Sequence, residues 1–288
     1  MKNLKKKFKF SKNDFLHWFL EIKIIWNRKK KLIWLSQSLY IDKIVNLVIS
    51  KQSDAILMSK NEFLFYNNVA SSFQINLYQQ KISFLMYAAV ITHSNIAFAV
   101  SWLACFLMNS ESLHQAVTDW ILLYLKRYQN LNLQLNEDDE YIVTSDVSFV
   151  NNTANCKNFQ SYAMKLFRSL VEWWANKQII IIISIIKAEL MILSQTACEE
   201  IYIWWMLEKL KINLNQDNDM IIQCDNQQML CLIQVKIEKL SIKLKHVDIQ
   251  NHWLHQEYQW DCITVCYIES KNMIINSLTK AFLLNSHC

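Results

Sequence analysis

The chain has 288 residues, of which 52% are hydrophobic and 19% are charged, and its formal net charge is +5. This composition excludes a disordered, a collagen-like or a coiled-coil chain, and the length allows one large domain or two of ordinary size. The chain has neither Gly nor Pro, although average usage would give roughly 20 and roughly 14 of them. Since Gly supplies turn positions with φ > 0, either the chain is mostly helical with Asn-built turns or its codons have been altered.

The first half of the chain predicts a β-hairpin followed by helices. Apolar runs with strand character flank a short polar turn, and helical periodicity follows. The predicted elements, in chain order, are strands at 18–25 and 32–35, a helix at 38–48, a polar loop at 50–72, and helices at about 78–90, 95–108 and 112–127.

The turn of the predicted hairpin is basic. It consists of Arg28, Lys29, Lys30 and Lys31. Such a run is either a solvated surface or a contact to nucleic-acid phosphates, and both interpretations stay open at this point.

A change of pattern separates the second half. Residues 130–140 contain NEDDE and lack hydrophobic periodicity, so we predict a domain boundary there. The elements predicted after the boundary are strands at 141–149, 161–167 and 171–183, a helix at 187–210, a strand at 220–224, helices at 227–234 and 246–257, a strand at 262–268 and a closing helix at 272–284.

An isoleucine-rich run at 179–186 raises the alternative of a membrane anchor. A spanning helix needs about 20 mainly apolar residues, and Lys187 and Glu189 interrupt this stretch. The run therefore favours a buried strand, and we expect no membrane association. The start of the chain does not match a secretory signal, so we expect an intracellular protein with reduced thiols, in either cytoplasm or nucleus.

His252, His255, Cys262 and Cys266 lie close together in sequence and offer four possible zinc ligands. Their order and spacing match no zinc pattern. We therefore do not predict a zinc site from these residues.

Three acidic residues occupy positions where catalytic chemistry would need them. Asp146 lies within the first strand of the second half, Glu189 in the first turn of the long helix, and Asp225 just after a buried strand. Carboxylates placed in this way converge at one edge of a mixed sheet, where they repel one another unless they share cations. The natural occupant is Mg²⁺, and a pair of such ions would clamp the two reacting oxygens of a phosphodiester.

Nine segments, in one order along the chain, resemble the motifs of a known family. They are LHWFLEIKII (16–25), LIWLSQSLYIDKIV (32–45), LMYAAVITHSNIAFAVSWLACFL (85–107), LHQAVTDWILLYLKRYQNLNLQL (113–135), TSDVSF (144–149), IIKAELMILSQTACEEIYI (185–203), IQCDNQQMLCLI (222–233), KHVDIQNHWLHQ (245–256) and MIINSLTKAF (273–282). Together they resemble the C-terminal end of a copia-type retrotransposon polyprotein, in which the tail of the reverse transcriptase precedes a ribonuclease H.

This resemblance implies an α/β fold with an RNase H-like mixed five-stranded sheet and flanking helices. Residues 1–135 would be a mainly helical reverse-transcriptase fragment with a β-hairpin, and residues 136–284 the RNase H-like domain. The implied partners are RNA–DNA hybrids, whose RNA strand is cut, and the remainder of the polyprotein. The polymerase motif YxDD is absent from the chain, so the first part would contribute template contacts at most, through Arg28 to Lys31.

The resemblance also implies the site residues. Asp146, Glu189 and Asp225 match the family's metal-binding acidic residues, which use Mg²⁺ or Mn²⁺. The fourth acidic position of the family falls on Asn276, an amide that offers a metal only a neutral oxygen. The resemblance therefore implies two-metal hydrolysis that is impaired in this copy; the alternative is a catalytically dead relic that at most binds nucleic acid.

A single mutational bias explains the departures from the family pattern. G-to-A and C-to-T changes convert Gly and Pro codons to others, which accounts for both missing residue types, for the isoleucine run and for Asn276. We interpret the chain as a decayed element copy. Its genomic codons would test this interpretation, and matching losses of A- and T-rich codons would contradict it.

Overall fold

The structure, a computed structural model, describes residues 16–48, 72–136, 141–148, 158–178, 185–212, 220–234, 245–260 and 262–273, together with 275 and 278. The strands are β1 (Trp18–Phe19), β2 (Ile22–Asn27), β3 (Leu32–Ser36), β4 (Leu133–Leu135), β5 (Tyr141–Ser148), β6 (Phe159–Leu166), β7 (Ser169–Lys177), β8 (Ile221–Cys224) and β9 (Thr264–Tyr267). The helices are α1 (Ser38–Val48), α2 (Ser72–Ile91), α3 (Ala97–Ala104), α4 (Ser112–Arg127), α5 (Ile185–Leu210), α6 (Gln227–Gln234) and α7 (Lys245–Gln259).

The first sheet has the order β1-β2-β3-β4, and all its neighbours are antiparallel. The predicted hairpin is confirmed, but its predicted first strand, 18–25, is broken in two. Leu20 and Glu21 form a tight turn with φ values of 47° and 61°. Both residues therefore adopt the left-handed backbone that glycine tolerates best, and the strand cannot continue through them.

The helices of the first half follow the predicted order. The bounds of α1 and α4 agree with the predictions, whereas α2 begins at Ser72, before the predicted start. The predicted helix at 95–108 is shorter, because a 3₁₀ turn at Ser94–Ile96 precedes α3 and further turns follow it. The predicted loop at 50–72 lies outside the described residues, except for Ser72.

The second sheet confirms the expected mixed five-stranded fold. Its order is β7-β6-β5-β8-β9. Strands β5, β6 and β7 are antiparallel neighbours, whereas β8 is parallel to both β5 and β9. Parallel pairing of β8 with β5 brings the ends of these two strands to the same edge of the sheet.

Two predicted strands of the second half end earlier than expected. The strand predicted at 171–183 ends at Lys177, and residues 179–184 lie outside the described part. The strand predicted at 161–167 ends one residue early, because Phe167 and Arg168 form the turn to β7, with φ values of 54° and 57°. The closing helix predicted at 272–284 falls mostly on residues that are not described.

The two halves share one hydrophobic core. Phe98 and Trp102 of α3 pack on Phe159 of β6, with ring centroids 5.1 and 5.4 Å apart. The indole Nε1 of Trp173 donates a hydrogen bond of 2.8 Å to the carbonyl of Ala89. These aromatic contacts bury the seam between the two halves.

Among the described residues, no helix combines the length and the apolar character needed to cross a bilayer.

Candidate metal centre

The three carboxylates that the sequence singled out lie together. Asp146 comes from β5, Glu189 from the first turns of α5, and Asp225 from the residue after β8. Each contributes a carboxylate oxygen to a group in which all such oxygens lie within 4.8 Å of one another. Among the described residues, this is the only group of three or more His, Cys, Asp or Glu side chains close enough to share one ion.

Strand pairing explains why two of these carboxylates meet. Val143 pairs with Ile222 and Thr144 with Gln223 in the parallel register of β5 and β8. Two residues further along, this register brings Asp225 beside Asp146. The helix α5 packs against β5 and brings in Glu189.

The site is largely shielded from water. Asp146 is 2% exposed and Glu189 is 4% exposed, whereas Asp225 is half-buried. Burial of several anions is costly without a compensating cation, because low-dielectric surroundings strengthen their mutual repulsion. The centre therefore has the electrostatic character of a cation site.

The thiol of Cys224 reports the same negative environment. Burial is the largest cause that raises the pKa of Cys224 to about 12; the charges of Glu189 and Asp225 act in the same direction, and a hydrogen bond from the backbone of Asn226 opposes them. The thiol therefore stays protonated at neutral pH and offers no thiolate ligand. The available donors are hard carboxylate oxygens, which suit Mg²⁺ or Mn²⁺.

The spacing of the oxygens fits such an ion. Ligand oxygens about 2.1 Å from an octahedral Mg²⁺ lie about 3 to 4 Å from one another. The 4.8 Å limit of this group is slightly wider, so small side-chain rotations would bring the three carboxylates into coordinating positions.

Neighbouring polar groups orient the chain around Asp225. The hydroxyl of Ser270 donates a hydrogen bond of 2.6 Å to Asp225 Oδ2. The side chain of Asn226 accepts a 3.0 Å hydrogen bond from the backbone of Met229 and so caps the start of α6. This carboxylate is therefore held between the end of a strand and the start of a capped helix.

The other predicted site residues are not part of this centre. Arg28, Lys29, Lys30 and Lys31 form the exposed turn between β2 and β3, in the first sheet. Asn276 lies outside the described residues. The structure therefore brings together three of the four predicted catalytic positions and says nothing about the fourth.

Two polar contacts in this part of the fold were missed at the sequence level. Ser270 follows β9 and is far from Asp225 in sequence, so no local pattern linked the two residues. Gln178 immediately precedes the isoleucine run. Because we predicted a strand from 171 to 183, we did not expect a buried polar residue with several hydrogen bonds at this position. Polar residues at the ends of apolar runs are the signal that could have identified it.

No known protein-family profile matches the chain. The curated proteins that it resembles include three retrovirus-related Pol polyproteins of plant transposons. The one from transposon TNT 1-94 of Nicotiana tabacum is 24% identical over 270 residues, which are 91% of this chain and 20% of that protein. Those from transposons RE1 and RE2 of Arabidopsis thaliana are 24% and 22% identical, each over 96% of this chain and 19% of the relative.

These relatives confirm the predicted resemblance to a retrotransposon polyprotein. The chain spans about a fifth of the length of each. Two solved structures show low similarity. A foamy viral protease-reverse transcriptase in complex with RNA/DNA hybrid is 11% identical, with a TM-score of 0.48 over 94% of this chain and 31% of that one. A foamy viral protease-reverse transcriptase in complex with dsDNA is 13% identical, with a TM-score of 0.39 over 88% of this chain and 44% of that one.

Proposed function

We propose that this chain carries the RNase H-like domain of a copia-type retrotransposon polyprotein, and that the domain hydrolyses the RNA strand of RNA–DNA hybrids with Mg²⁺ or Mn²⁺. The observation that carries the proposal is the buried group of Asp146, Glu189 and Asp225 at the edge of a mixed five-stranded sheet. Three hard anionic ligands in one shielded place suit the divalent cations that assist phosphodiester hydrolysis.

Each residue of the centre has a distinct task in this proposal. Asp146, Glu189 and Asp225 would hold the divalent cations, and Ser270 would fix the orientation of the Asp225 carboxylate through its 2.6 Å hydrogen bond. When bound, the cations would supply charge neutralisation at the phosphodiester and activation of the attacking water. The protonated Cys224 would stay outside the coordination.

We propose further that catalysis is impaired in this copy. Asp146, Glu189 and Asp225 provide three negative charges, enough to hold one divalent cation. A second cation needs its own anionic ligand, and the family resemblance assigns that position to Asn276. Loss of a formal charge next to a divalent ion weakens binding more than loss of a neutral hydrogen bond.

The first half would bind the substrate and would not take part in catalysis. Under this proposal residues 1–135 are a reverse-transcriptase fragment, and residues 136–284 are the nuclease. The basic turn from Arg28 to Lys31 would contact nucleic-acid phosphates, and the remainder of the polyprotein would supply the polymerase centre.

A second candidate is a catalytically dead relic that at most binds nucleic acid. The observation that favours it is the number of non-glycine residues with positive φ among the described residues, which are Leu20, Glu21, Lys31, Phe167, Arg168 and Lys211. Each such residue costs about 1 to 2 kcal/mol, so together they reduce a net stability that is about 5 to 15 kcal/mol for ordinary domains.

A cleavage assay separates the two candidates. An RNA–DNA hybrid labelled on the RNA strand would be incubated with the Asn276→Asp chain in Mg²⁺ or Mn²⁺. The nuclease proposal expects cleavage that Glu189→Gln abolishes and that Glu208→Gln leaves unchanged. Glu208 is the matched control because it is an exposed glutamate on the same helix. A chain that retains hybrid binding but cuts nothing in the Asn276→Asp background would support the relic.

A further inference from the structure

Four buried or half-buried amide side chains form a connected group, which we call the amide cluster: Asn158, Gln160, Gln178 and Gln195. Gln178 lies at its centre, 2% exposed. Its Oε1 accepts a 3.2 Å hydrogen bond from Asn158 Nδ2, and its Nε2 donates a 3.0 Å bond to Gln160 Oε1. Gln160 Nε2 continues the chain with a 3.3 Å bond to Gln195 Oε1 of α5.

Gln178 also reaches the backbone of α5. Its Nε2 donates a second hydrogen bond, of 3.3 Å, to the carbonyl oxygen of Ala188. A side-chain amide nitrogen has two protons, and Gln178 uses both. Its own backbone N–H is bonded to the carbonyl of Asn158 at 2.8 Å, so both ends of this residue are held.

The position of that carbonyl matters for the metal centre. Ala188 is fully buried and immediately precedes Glu189 in the first turns of α5. The bond from Gln178 therefore ties the end of β7 to the helical turn that carries a carboxylate of the acidic group. A shift of that turn would move the Glu189 carboxylate relative to Asp146 and Asp225.

We propose that Gln178 is a positioning residue for the metal centre: its bond to Ala188 holds the start of α5 where Glu189 can share a cation with the other two carboxylates. This inference rests on the proposed function, because it assigns Gln178 a role at the same site. The role of Gln178 differs from ordinary packing, because this central amide of the cluster hydrogen-bonds to the backbone beside Glu189.

The test measures Mn²⁺ affinity of the full chain, by calorimetry or by electron paramagnetic resonance of free Mn²⁺. Gln178→Met keeps the length and unbranched shape of the side chain but removes its hydrogen bonds. Because changes to residues that orient metal ligands cost about 10- to 100-fold in metal affinity, we expect weakening in that range. Gln178→Asn, which shortens the side chain by one methylene, is the second variant if Gln178→Met does not fold.

Asn158→Ala is the matched control. It removes a buried amide from the same cluster but leaves the bond from Gln178 to Ala188 in place, so Mn²⁺ affinity should change less than twofold. A double-mutant cycle with Glu189→Gln gives the decisive reading. Once the carboxylate of Glu189 is gone, Gln178→Met should weaken Mn²⁺ binding no further.

The outcomes separate this inference from the proposed nuclease. Equal Mn²⁺ affinity of the unmodified and Gln178→Met chains overturns the positioning role, even if hybrid cleavage is found. Equal losses in the presence and absence of Glu189 overturn it as well, since they indicate general destabilisation. Tight Mn²⁺ binding that depends on Gln178, with no cleavage even by the Asn276→Asp chain, supports the positioning role and contradicts the nuclease. A chain that binds no Mn²⁺ overturns both.

Discussion

Asp146 and Ser161 are directly paired across the antiparallel register of β5 and β6, so their side chains share one face of the sheet. Ser161 is fully buried, and its hydroxyl has no hydrogen-bond partner among the described residues. Next to the most buried carboxylate of the centre there is thus a polar group whose hydrogen bonding is unsatisfied. Burial removes the hydrogen bonds that this hydroxyl makes to water in the unfolded chain, and this loss destabilises the folded state.

Removal of this hydroxyl should stabilise the chain. We expect Ser161→Ala to raise the metal-free free energy of unfolding by about 1 kcal/mol, because an unsatisfied buried polar group is lost. Urea unfolding monitored by tryptophan fluorescence would measure it. Ser145→Ala is the comparison, since Ser145 is also buried and its hydroxyl also lacks a partner among the residues described, but it lies next to Asp146 on β5. A loss of stability in both variants would show that the hydroxyls have partners in solution.

Glu200 predicts the pH dependence of stability. It is fully buried on α5, neither of its carboxylate oxygens has a hydrogen-bond partner in the part of the chain that the structure describes, and burial raises its pKa from 4.5 to about 8. Since the folded chain holds this proton more tightly than the unfolded chain, stability is greatest below about pH 4.5 and falls as the pH rises towards 8. At pH 7 the loss is on the order of 3 kcal/mol.

Two substitutions test that prediction. Glu200→Gln should remove the fall in stability between pH 4.5 and 8, because the amide does not titrate. Glu200→Met should do the same and add stability at every pH, since it also removes a buried polar group. A series of urea midpoints across this pH range is the measurement. An unmodified chain whose stability rises steadily from pH 5 to 8 would contradict the assignment.

The turn between β2 and β3 offers a matched pair of lysines. Lys31 has a φ of 50°, whereas Lys30 is not among the residues with positive φ. Lys31→Gly should therefore raise the melting temperature by a few degrees, because it relieves about 1 kcal/mol of backbone strain. Lys30→Gly should lower it or leave it unchanged, since only chain entropy is affected. Equal effects of the two variants would argue against left-handed strain at Lys31.

The unmodified chain should be marginally stable as a whole. Six described non-glycine residues with positive φ predict poor soluble expression, since each costs about 1 to 2 kcal/mol. Scanning calorimetry would measure the temperature and the cooperativity of unfolding. Sharp cooperative unfolding well above 60 °C would contradict this prediction.

The metal preference should follow from the missing charge at Asn276. We expect little or no hybrid cleavage by the unmodified chain in Mg²⁺, and a larger residual activity in Mn²⁺, which tolerates less ideal ligands. Asn276→Asp should raise the rate in Mg²⁺, and Asp146→Asn should abolish it. Rates of RNA-strand cleavage would be compared at equal protein concentration. Robust Mg²⁺-dependent cleavage that survives Asp146→Asn would mean that the site lies elsewhere.

Much of the fold and of the acidic group could be predicted from the sequence, because both depend on local patterns. Helical periodicity predicted Ser38–Val48 and the long helix α5, and the end of a short apolar run predicted where Asp225 would lie. The polar surroundings of the site could not be predicted. Gln178 meets Ala188 through tertiary packing, and Ser270 meets Asp225 across 45 residues.

The errors at the ends of two predicted strands, 18–25 and 161–167, have one physical cause. Leu20, Glu21, Phe167 and Arg168 are ordinary residues in left-handed backbone, so nothing in their side chains indicates a turn. Glycine at these positions would have indicated a turn in the sequence, and so the end of each strand. Composition predicted that the chain had lost its glycines, but it could not show which residues had replaced them at the turns.

The aromatic seam between the two halves has a consequence for polyprotein processing. Phe98, Trp102 and Phe159 bury one another, and Trp173 bonds to the backbone of Ala89. A protease cut in the link between β4 and β5 would therefore leave two polypeptides that remain associated as a noncovalent pair. The second half released on its own would expose the ring of Phe159 and the indole of Trp173 to water. Processing at that point would nick the chain without separating its parts.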